Sequence, residues 1–427
     1  MKKRTIALAQ EDKKNIWHPL TQHKLVDGLL PIKKAKAEYL IDTDGKSYID
    51  GISSWYTSMF GHCHPKIIDA VYDQMKELDQ IVFSGFTHEP AIELSQKLIN
   101  ILPDSQTKLF FNDNGSTATE VGIKMALQYH NNQENDKDVL LAFEDGFHGD
   151  TLGAMSASGL SIYNGAFEKH FMEVKRIPKP TGDNNDEVIK QLNELLQQHK
   201  IAGFIYEPLI QGAAGMQFYD EDGLGMILQV CKENDIICIA DEVMTGFGKT
   251  GKNFASEYLD IQPDVICMSK ALSAGMVPMG ITSCSDKIYQ AFYSDEIEKG
   301  LFHGHTYTGN PLACAAAIAA IELLQSRKTQ QNISKISQLN ERFAEKLKKQ
   351  NQVKNVRTKG VILAFELDIE MSRYGSLRDE LYQFFMDQGV FLRPLGNTIY
   401  ILPPFITKRR NLQKIHKAIL KCLKQFR

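Results

Sequence analysis

The segment IICIADEVMTGFGKTGKN (236–253) decides the fold, because an apolar run leads directly into two carboxylates, Asp241 and Glu242. A short apolar run of this kind is typical of a strand buried in a sheet. In open α/β sheets, ligands bind beyond the carboxyl ends of the strands, so a carboxylate at this point faces a site. The segment DVICMSK (264–270) repeats the pattern and ends on Lys270. The two segments predict an acid and an amine at one edge of a sheet.

Short apolar runs alternate with helical patterns from about residue 65 to 300. This alternation predicts an α/β layer with a largely parallel sheet. A helix is expected over 116–130, where apolar residues recur four apart. The expected strands are 108–112, 139–144, 201–207, 236–241 and 264–270.

Three regions are predicted along the chain. Residues 1–60 form an N-terminal arm that contributes to the small domain, with a hairpin at 38–50 around an Asp-Gly turn. Residues 61–309 form a large, ligand-binding domain. Residues 310–427, where strand and helix patterns resume, form a smaller α+β domain and end in a basic amphipathic helix.

Composition excludes several classes of protein. The 427 residues are 43% hydrophobic and 24% charged, with a formal net charge of −3, which gives no reason to expect nucleic acid or a membrane surface as partner. The chain contains no apolar run of about 18 residues. The seven cysteines include no C-x-x-C pair, which predicts a reducing, cytoplasmic setting and no metal site.

Residues 246–252 (GFGKTGK) match part of a nucleotide-binding P-loop, G-x-x-x-x-G-K. That motif needs Ser or Thr next, because the hydroxyl binds magnesium, but Asn253 follows. An alternative frame uses Gly248, Lys249 and Thr250 as the G-K-T of the motif. That frame needs a glycine at position 243, where Val243 stands. Neither frame completes the motif, and a nucleotide hydrolase is disfavoured.

A different phosphate site is predicted at FFNDNGSTATE (110–120), which is a strand, a turn with Gly115, and a helix start. The free N–H groups and the positive dipole end of such a helix bind anions. The alternative is that Ser116 serves only as the N-cap of the helix.

A glycine-rich turn, EDGFHGDT (144–151), follows another predicted strand and carries Phe147 and His148, rings that can lie flat against a ligand. Together with the phosphate site, Asp241 and Lys270, these features describe a site for pyridoxal phosphate. This cofactor binds through a lysine Schiff base and needs a carboxylate on its pyridine nitrogen.

Nine motifs spread over nearly the whole chain resemble those of fold-type I, class III pyridoxal-phosphate aminotransferases. The motifs are IWHPLTQ (16–22), DGISSWY (50–56), NGSTATEV (114–121), GFHGDT (146–151), EPLIQGAAGM (207–216), ADEVMTGFGKTGK (240–252), CMSKALSAG (267–275), HGHTYTGNPLACAAA (303–317) and LRPLG (392–396). The resemblance implies a homodimer with shared active sites that acts on small molecules.

The resemblance also implies cofactor contacts. Lys270 would form the Schiff base and move the proton, while Asp241 would pair with the pyridine nitrogen. His305 and Thr306 would reach the phosphate from the partner subunit. The other implied contacts are Gly115, Ser116, Phe147, His148, Glu207 and Val243.

Within the family, the chain more narrowly resembles the aminotransferases of biotin synthesis, through the W-H-P-x-T arm, the S-S-W segment and the arginine of R-P-x-G. This implies amino transfer to 8-amino-7-oxononanoate, with S-adenosylmethionine as donor and Arg393 gripping the distal carboxylate. Lysine as donor, an ornithine, 4-aminobutyrate or lysine aminotransferase, and an isomerase or decarboxylase on the same fold stay open. The implied substrate pocket is lined by Trp55, Phe147, Lys270, Gly304 and Arg393.

Three positions depart from the pattern of the resemblance. Leu20 and Phe147 stand where tyrosine is usual, and Tyr56 stands where a second tryptophan is usual. A phenylalanine ring at 147 can still stack, so the cofactor chemistry is expected to be intact. The departures leave the identities of the substrate and of the donor open.

Overall fold

The computed structural model describes residues 3–26, 28–159, 161, 164–369 and 375–426. The strands within these ranges are β1 (Ile32–Lys36), β2 (Tyr39–Asp42), β3 (Ser47–Asp50), β4 (Gln106–Asn112), β5 (Val139–Phe143), β6 (Val174–Ile177), β7 (Ile201–Tyr206), β8 (Ile210–Gln211), β9 (Gln217–Phe218), β10 (Ile237–Asp241), β11 (Val265–Met268), β12 (Gly280–Ser285), β13 (Val353–Lys359), β14 (Ile362–Leu367), β15 (Val390–Phe391) and β16 (Thr398–Ile401).

Helices cover these strands, and a single irregular turn, α2, interrupts the N-terminal part. The helices are α1 (Lys3–Asn15), α2 (Ser53–Tyr56), α3 (Pro65–Glu77), α4 (Glu89–Ile99), α5 (Gly115–Asn132), α6 (Leu152–Ala157), α7 (Asn185–Gln198), α8 (Glu221–Glu233), α9 (Asp286–Phe292), α10 (Pro311–Gln325), α11 (Arg327–Leu347), α12 (Ser376–Asp387) and α13 (Arg409–Gln425). None of those in the described ranges is long and apolar enough to span a membrane.

The central sheet has seven strands in the order β4-β12-β11-β10-β7-β5-β6. All five predicted strands are present in it, and the predicted α/β class with a mostly parallel sheet is confirmed. Only β12 runs antiparallel to its neighbours. The sequence analysis missed β12, because its buried side chains include Thr282 and Ser283 in place of an apolar run. Their hydroxyls donate to Ala118 O and Gln106 Oε1, which makes their burial tolerable.

Both faces of the sheet are buried, which explains the continuous apolar runs. Along β5, Leu140 and Ala142 pack against one cluster, and Leu141 and Phe143 pack against the other. A fully buried leucine contributes about 1.5–3 kcal/mol. Helix α5 lies close to the sheet at Gly122, where a Cβ would come within 2.9 Å of Cys267 Sγ. This close packing fixes where the N-terminus of α5 meets the strand ends.

The C-terminal part contains an antiparallel sheet, β13-β14-β16, and the strand β15. β15 pairs in parallel with β3, so the N-terminal arm and the C-terminal segment share a four-stranded sheet. The predicted hairpin is present as β2 and β3. The basic tail forms α13, whose apolar stripe is buried. The limits 1–60, 61–309 and 310–427 stay a prediction.

Candidate active site

Two strand ends bring Asp241 and Lys270 to the same edge of the central sheet. β10 and β11 run in parallel, with Asp241 paired to Cys267. Lys270 follows the end of β11 by two residues and opens a short 3-10 turn, Lys270–Ser273. The convergence predicted from the two segments is therefore present in the structure.

The side chain of Lys270 is held in an apolar setting. Its Nζ lies over the ring of Tyr56, 5.1 Å from the centroid, and finds no hydrogen-bond acceptor in the described part of the chain. Loss of solvent lowers the pKa of this amine, and the charges of Asp241 and Glu207 oppose that shift. Burial thus favours the neutral amine, the form that attacks a carbonyl. Lys270 itself has a left-handed backbone, with φ of 49°.

Asp241 is 3% exposed and is held by two hydrogen bonds. Its Oδ2 lies 2.8 Å from His148 Nδ1, and its Oδ1 accepts from the backbone N–H of Val243 at 3.1 Å. An ionised Asp241 only accepts, so the proton sits on His148 Nδ1. His148 Nε2 is then a buried acceptor without a partner in the described residues. This atom lies against the turn at Gly146, where a Cβ would come within 3.0 Å of it.

The N-terminus of α5 fits a phosphate. Asn114 is the N-cap, accepting from Thr117 N, so the alternative that Ser116 is the N-cap is wrong. The backbone N–H groups of Gly115 and Ser116 have no acceptor among the described residues. A Cβ on Gly115 would come within 2.9 Å of Val243 Cγ1, so only glycine fits at this point. Two free donors at the positive end of an 18-residue helix form an anion site.

Glu207 accepts hydrogen bonds from two loops, one containing Phe147 and the other containing Gly212. Its Oε1 accepts from Phe147 N at 3.1 Å, and its Oε2 accepts from Gly212 N at 2.8 Å. Burial raises the pKa of Glu207 to about 7, although the hydrogen bonds from the backbone N–H groups of Gly212 and Phe147 oppose the shift. Phe147, the ring predicted to stack, keeps 43% of its surface exposed, so it is free to cover a ligand.

We expect Glu207→Gln to remove a pH dependence of stability. A carboxyl with a raised pKa favours folding at low pH, and that stability is lost as pH rises from about 4.5 to about 7. At about 1.4 kcal/mol per pKa unit, the loss is about 3 kcal/mol. Urea unfolding of the cofactor-free wild type should therefore shift to lower midpoints between these pH values, and the variant should not show this shift.

The exposed Glu233→Gln is the matched control and should keep the wild-type pH dependence. Glu207→Gln loses a hydrogen-bond acceptor for the backbone N–H of Phe147 or Gly212, so the stability of this variant at low pH should fall. A wild-type pH dependence in Glu207→Gln would mean that another group carries the effect.

The segment leading to Trp55 is strained. Ser53, Ser54 and Tyr56 all have φ between 52° and 69°, a region that side chains other than glycine rarely adopt. The carboxylate of Asp50 restrains the turn by accepting from Ser54 N at 2.6 Å. Strain held in this way is common at functional sites. Asp50 was missed in the sequence analysis, although it stands at the start of the motif DGISSWY.

Trp55 and Arg393 meet across a large sequence separation. The guanidinium of Arg393 lies 4.9 Å from the centroid of the Trp55 ring, a cation–π contact that orients the fork. The hydroxyl of Tyr56, the residue after Trp55, donates to Tyr400 OH at 3.0 Å. Tyr400 was not predicted, because one tyrosine in a β-strand carries no signal of its own.

The loop 303–308 lies near the start of α5. His305 Nδ1 is 3.5 Å from Asp113 Oδ2 of the same chain. Thr306 O accepts from Gln80 Nε2, while its side chain is exposed. Gly304 is exposed and has open space where a Cβ would be. A contribution of this loop to a second subunit stays a prediction.

These residues define a class of protein: a partly buried strand-end lysine, a strand-end carboxylate and a helix N-terminus are the arrangement of an aminotransferase site. The chain belongs to the class III aminotransferase family, whose model matches residues 21–423. Enzymes of this family depend on pyridoxal phosphate, and so does this chain. The residues present fit that group, because the N–H groups of Gly115 and Ser116 are free to bind its phosphate and the buried carboxylate of Asp241 stands at the strand end to bind its ring nitrogen.

Among individual relatives, the chain is 39% identical to the adenosylmethionine-8-amino-7-oxononanoate aminotransferase of Synechococcus elongatus, over 96% of this chain and 99% of that protein. It is 34% identical to the Helicobacter pylori protein of the same name, over 98% of each. The solved structure of the same-named Methanocaldococcus jannaschii protein is similar with a TM-score of 0.93, at 33% identity over 98% of this chain and 99% of that one.

A more distant similarity is to the omega transaminase from Pseudomonas jessenii in complex with PMP. Its TM-score is 0.91 at 26% identity, over 98% of each chain. The fold is thus shared by aminotransferases with different names, and substrate must be argued from the pocket.

Proposed function

We propose that this aminotransferase forms 7,8-diaminononanoate from 8-amino-7-oxononanoate in biotin synthesis, with S-adenosylmethionine as the donor. The observation that carries the proposal is the Arg393–Trp55 pair, since Trp55 adjoins Tyr56 in the chain and the Tyr56 ring lies under Lys270 Nζ. The guanidinium makes no ion pair in the described residues, so its fork is available to a carboxylate. The names of the relatives support the same substrate.

Pyridoxal phosphate, when bound, supplies an aldehyde for amine exchange and a ring that withdraws electrons from the reacting carbon. Gly115 and Ser116 would hold its phosphate with their free N–H groups. Asp241 would hold the proton of its ring nitrogen, and Val243 would pack beside it. His305 and Thr306 of a second subunit would complete the phosphate contacts.

Lys270 moves the proton in this proposal. The neutral Nζ accepts the α-proton of the donor, and its ammonium form later returns a proton. Tyr56 and the apolar turn around the amine keep it poorly solvated, so the proton is not exchanged freely with water. His148 fixes the orientation of Asp241, and Glu207 fixes the loop that carries Phe147.

The donor and the oxononanoate use one site in turn, so ping-pong kinetics are expected. Lysine is the second candidate donor, because Phe147 and Leu20 lack the hydroxyls that are usual at their positions and both side chains are exposed. Single-turnover reactions with each amine, followed by cofactor absorbance, test this. If lysine converts the cofactor and S-adenosylmethionine does not, S-adenosylmethionine is excluded as the donor.

Arg393→Ala is expected to weaken use of the oxononanoate by about 1.5–3 kcal/mol, the worth of hydrogen bonds to a charged group. The oxononanoate carries its carboxylate far from the ketone, so it depends on a distant anchor. The donor half-reaction should change less. Stopped-flow absorbance measures the two half-reactions separately.

The exposed Arg409→Ala, on α13, is the matched control and should leave both half-reactions unchanged. Equal losses in both half-reactions of Arg393→Ala would make Arg393 a shared or structural residue. No loss with the oxononanoate would remove the main support for this substrate.

We also propose that the chain forms a homodimer with shared active sites. Large apolar side chains stand exposed on α3, at Phe86 and in and beside the loop 303–308. Such an apolar surface is typical of a protein interface. Sedimentation of the purified protein should give twice the chain mass, and a monomer would contradict the proposal. The exposed residues are Tyr72, Met75, Phe86, Phe302 and Tyr307.

We further propose a cytoplasmic location. All seven cysteines are free thiols, and six of them are buried, which suits a reducing compartment. Cell fractionation that recovers the protein outside the cytoplasm would contradict this.

A further inference from the structure

A largely buried arginine in the C-terminal part contacts the loop that follows Glu207. Arg357 lies on β13, and its Nε donates to Met216 O at 2.5 Å while its Nη2 donates to Gly215 O at 2.6 Å. Its Nη1 donates to Glu366 Oε1 on β14 at 2.9 Å. The guanidinium thus joins two loop carbonyls to a carboxylate of the neighbouring strand.

The loop needs such a restraint, because its backbone is unusual. Met216 is fully buried and has φ of 51°, which is unfavourable for a residue with a side chain. Its N–H donates to Gly212 O at 3.0 Å, closing a tight turn. Arg357 binds the carbonyls of Gly215 and Met216, the last two residues of this turn, so the arginine fixes the turn where it is strained.

A continuous set of hydrogen bonds leads from this turn to the cofactor site. Gly212 N donates to Glu207 Oε2 at 2.8 Å, and Phe147 N donates to Glu207 Oε1 at 3.1 Å. The next residue, His148, lies 2.8 Å from Asp241 through its Nδ1. A displacement of the loop would therefore be felt at Glu207 first and at the Phe147 loop next.

We propose that Arg357 is a positioning residue for the active site, which holds the loop 212–216 so that Gly212 keeps Glu207 shielded and directed at the Phe147 loop. The inference rests on the proposed function, since it places Glu207 in that site. The planar fork of arginine serves four acceptors at once, the fourth being Asn355 O at 2.6 Å from Nη1, whereas lysine offers one point charge. Glu366 fixes the plane of the fork.

Loosening the loop should change the titration of Glu207. Its pKa is about 7 because it is buried, and water entering beside Gly212 would lower that pKa toward its ordinary value. The acid limb of the pH profile should then move to lower pH. The titratable groups that face Glu207 are His148, Asp241, Lys270, Tyr56 and Tyr219.

The test compares holoenzymes carrying Arg357→Met, Arg357→Lys and the control Lys354→Met. Lys354 lies on the same strand and forms an exposed ion pair with Asp368. In Arg357→Met, amide hydrogen exchange of residues 207–219 should become roughly tenfold faster. The acid limb of kcat/KM should fall by about one pH unit. Arg357→Lys should be intermediate, and the control should match wild type.

Unchanged exchange in residues 207–219, or an equal increase over all peptides, would overturn the proposal by showing a general structural role. Should Arg357→Met not fold, Glu366→Gln carries the test, with a smaller increase expected in the same peptide. Amide hydrogen exchange is measured without substrate, so its result tests the role of Arg357 even if the proposed substrate is wrong. A changed loop with an unchanged pH profile would overturn the link to Glu207.

Discussion

Replacing Lys270 by alanine is expected to abolish turnover, because no other amine in the described residues stands at the strand-end site with its Nζ over Tyr56. The variant loses both the covalent link to the cofactor and the base that moves the α-proton. Removing a residue that acts in every chemical step costs many orders of magnitude in rate. The fold should survive, since the buried strand β11 ends before this position.

Two measurements check the result. Borohydride reduction followed by mass spectrometry should attach the cofactor to the wild type and leave the variant unmodified. Lys252→Ala, which removes an exposed lysine from the loop after β10, should be modified and active like the wild type. Transamination by Lys270→Ala at near the wild-type rate would refute the assignment of this lysine.

Asp241→Asn is expected to lower the rate by about 10³-fold or more, which is about 4 kcal/mol in the barrier. The amide keeps the size of the side chain and removes the negative charge that would hold the proton on the ring nitrogen. It also changes the contact with His148, since an amide NH₂ group at the Oδ2 position would meet the Nδ1–H that now faces a carboxylate at 2.8 Å. Burial makes this loss large, because water cannot replace the charge.

Steady-state kinetics and the cofactor spectrum of Asp241→Asn measure the effect. Asp260→Asn, an exposed substitution between β10 and β11, is the control and should behave like wild type. A rate within tenfold of wild type would show that another group protonates the ring. His148→Asn keeps the charge of Asp241 and removes the group that orients it. A smaller loss of rate in His148→Asn than in Asp241→Asn would therefore show that the charge contributes beyond its orientation.

The strands and the core of the site could be predicted, because their signals are local. Each of β10 and β11 is an apolar run that ends on polar residues, and that pattern is complete within about seven neighbours. The start of α5 was predicted one or two residues late. Ser116 stood as an alternative N-cap, and the structure places Asn114 there, with its side chain accepting from Thr117 N. Asn114, Ser116 and Thr117 are all suitable caps, so the local sequence does not select among them.

The sequence by itself determined which residues end the strands, which turn precedes the helix, and that these features suit one cofactor. Only the tertiary structure decided which side chains meet. The His148–Asp241 bond spans 93 positions and the Tyr56–Tyr400 bond spans 344, and Arg393 reaches Trp55 from the other end of the chain. Periodicity in a sequence reports which face a residue lies on, because it repeats within a few residues. Contacts across hundreds of residues depend on sheet order and close packing, which no local pattern contains.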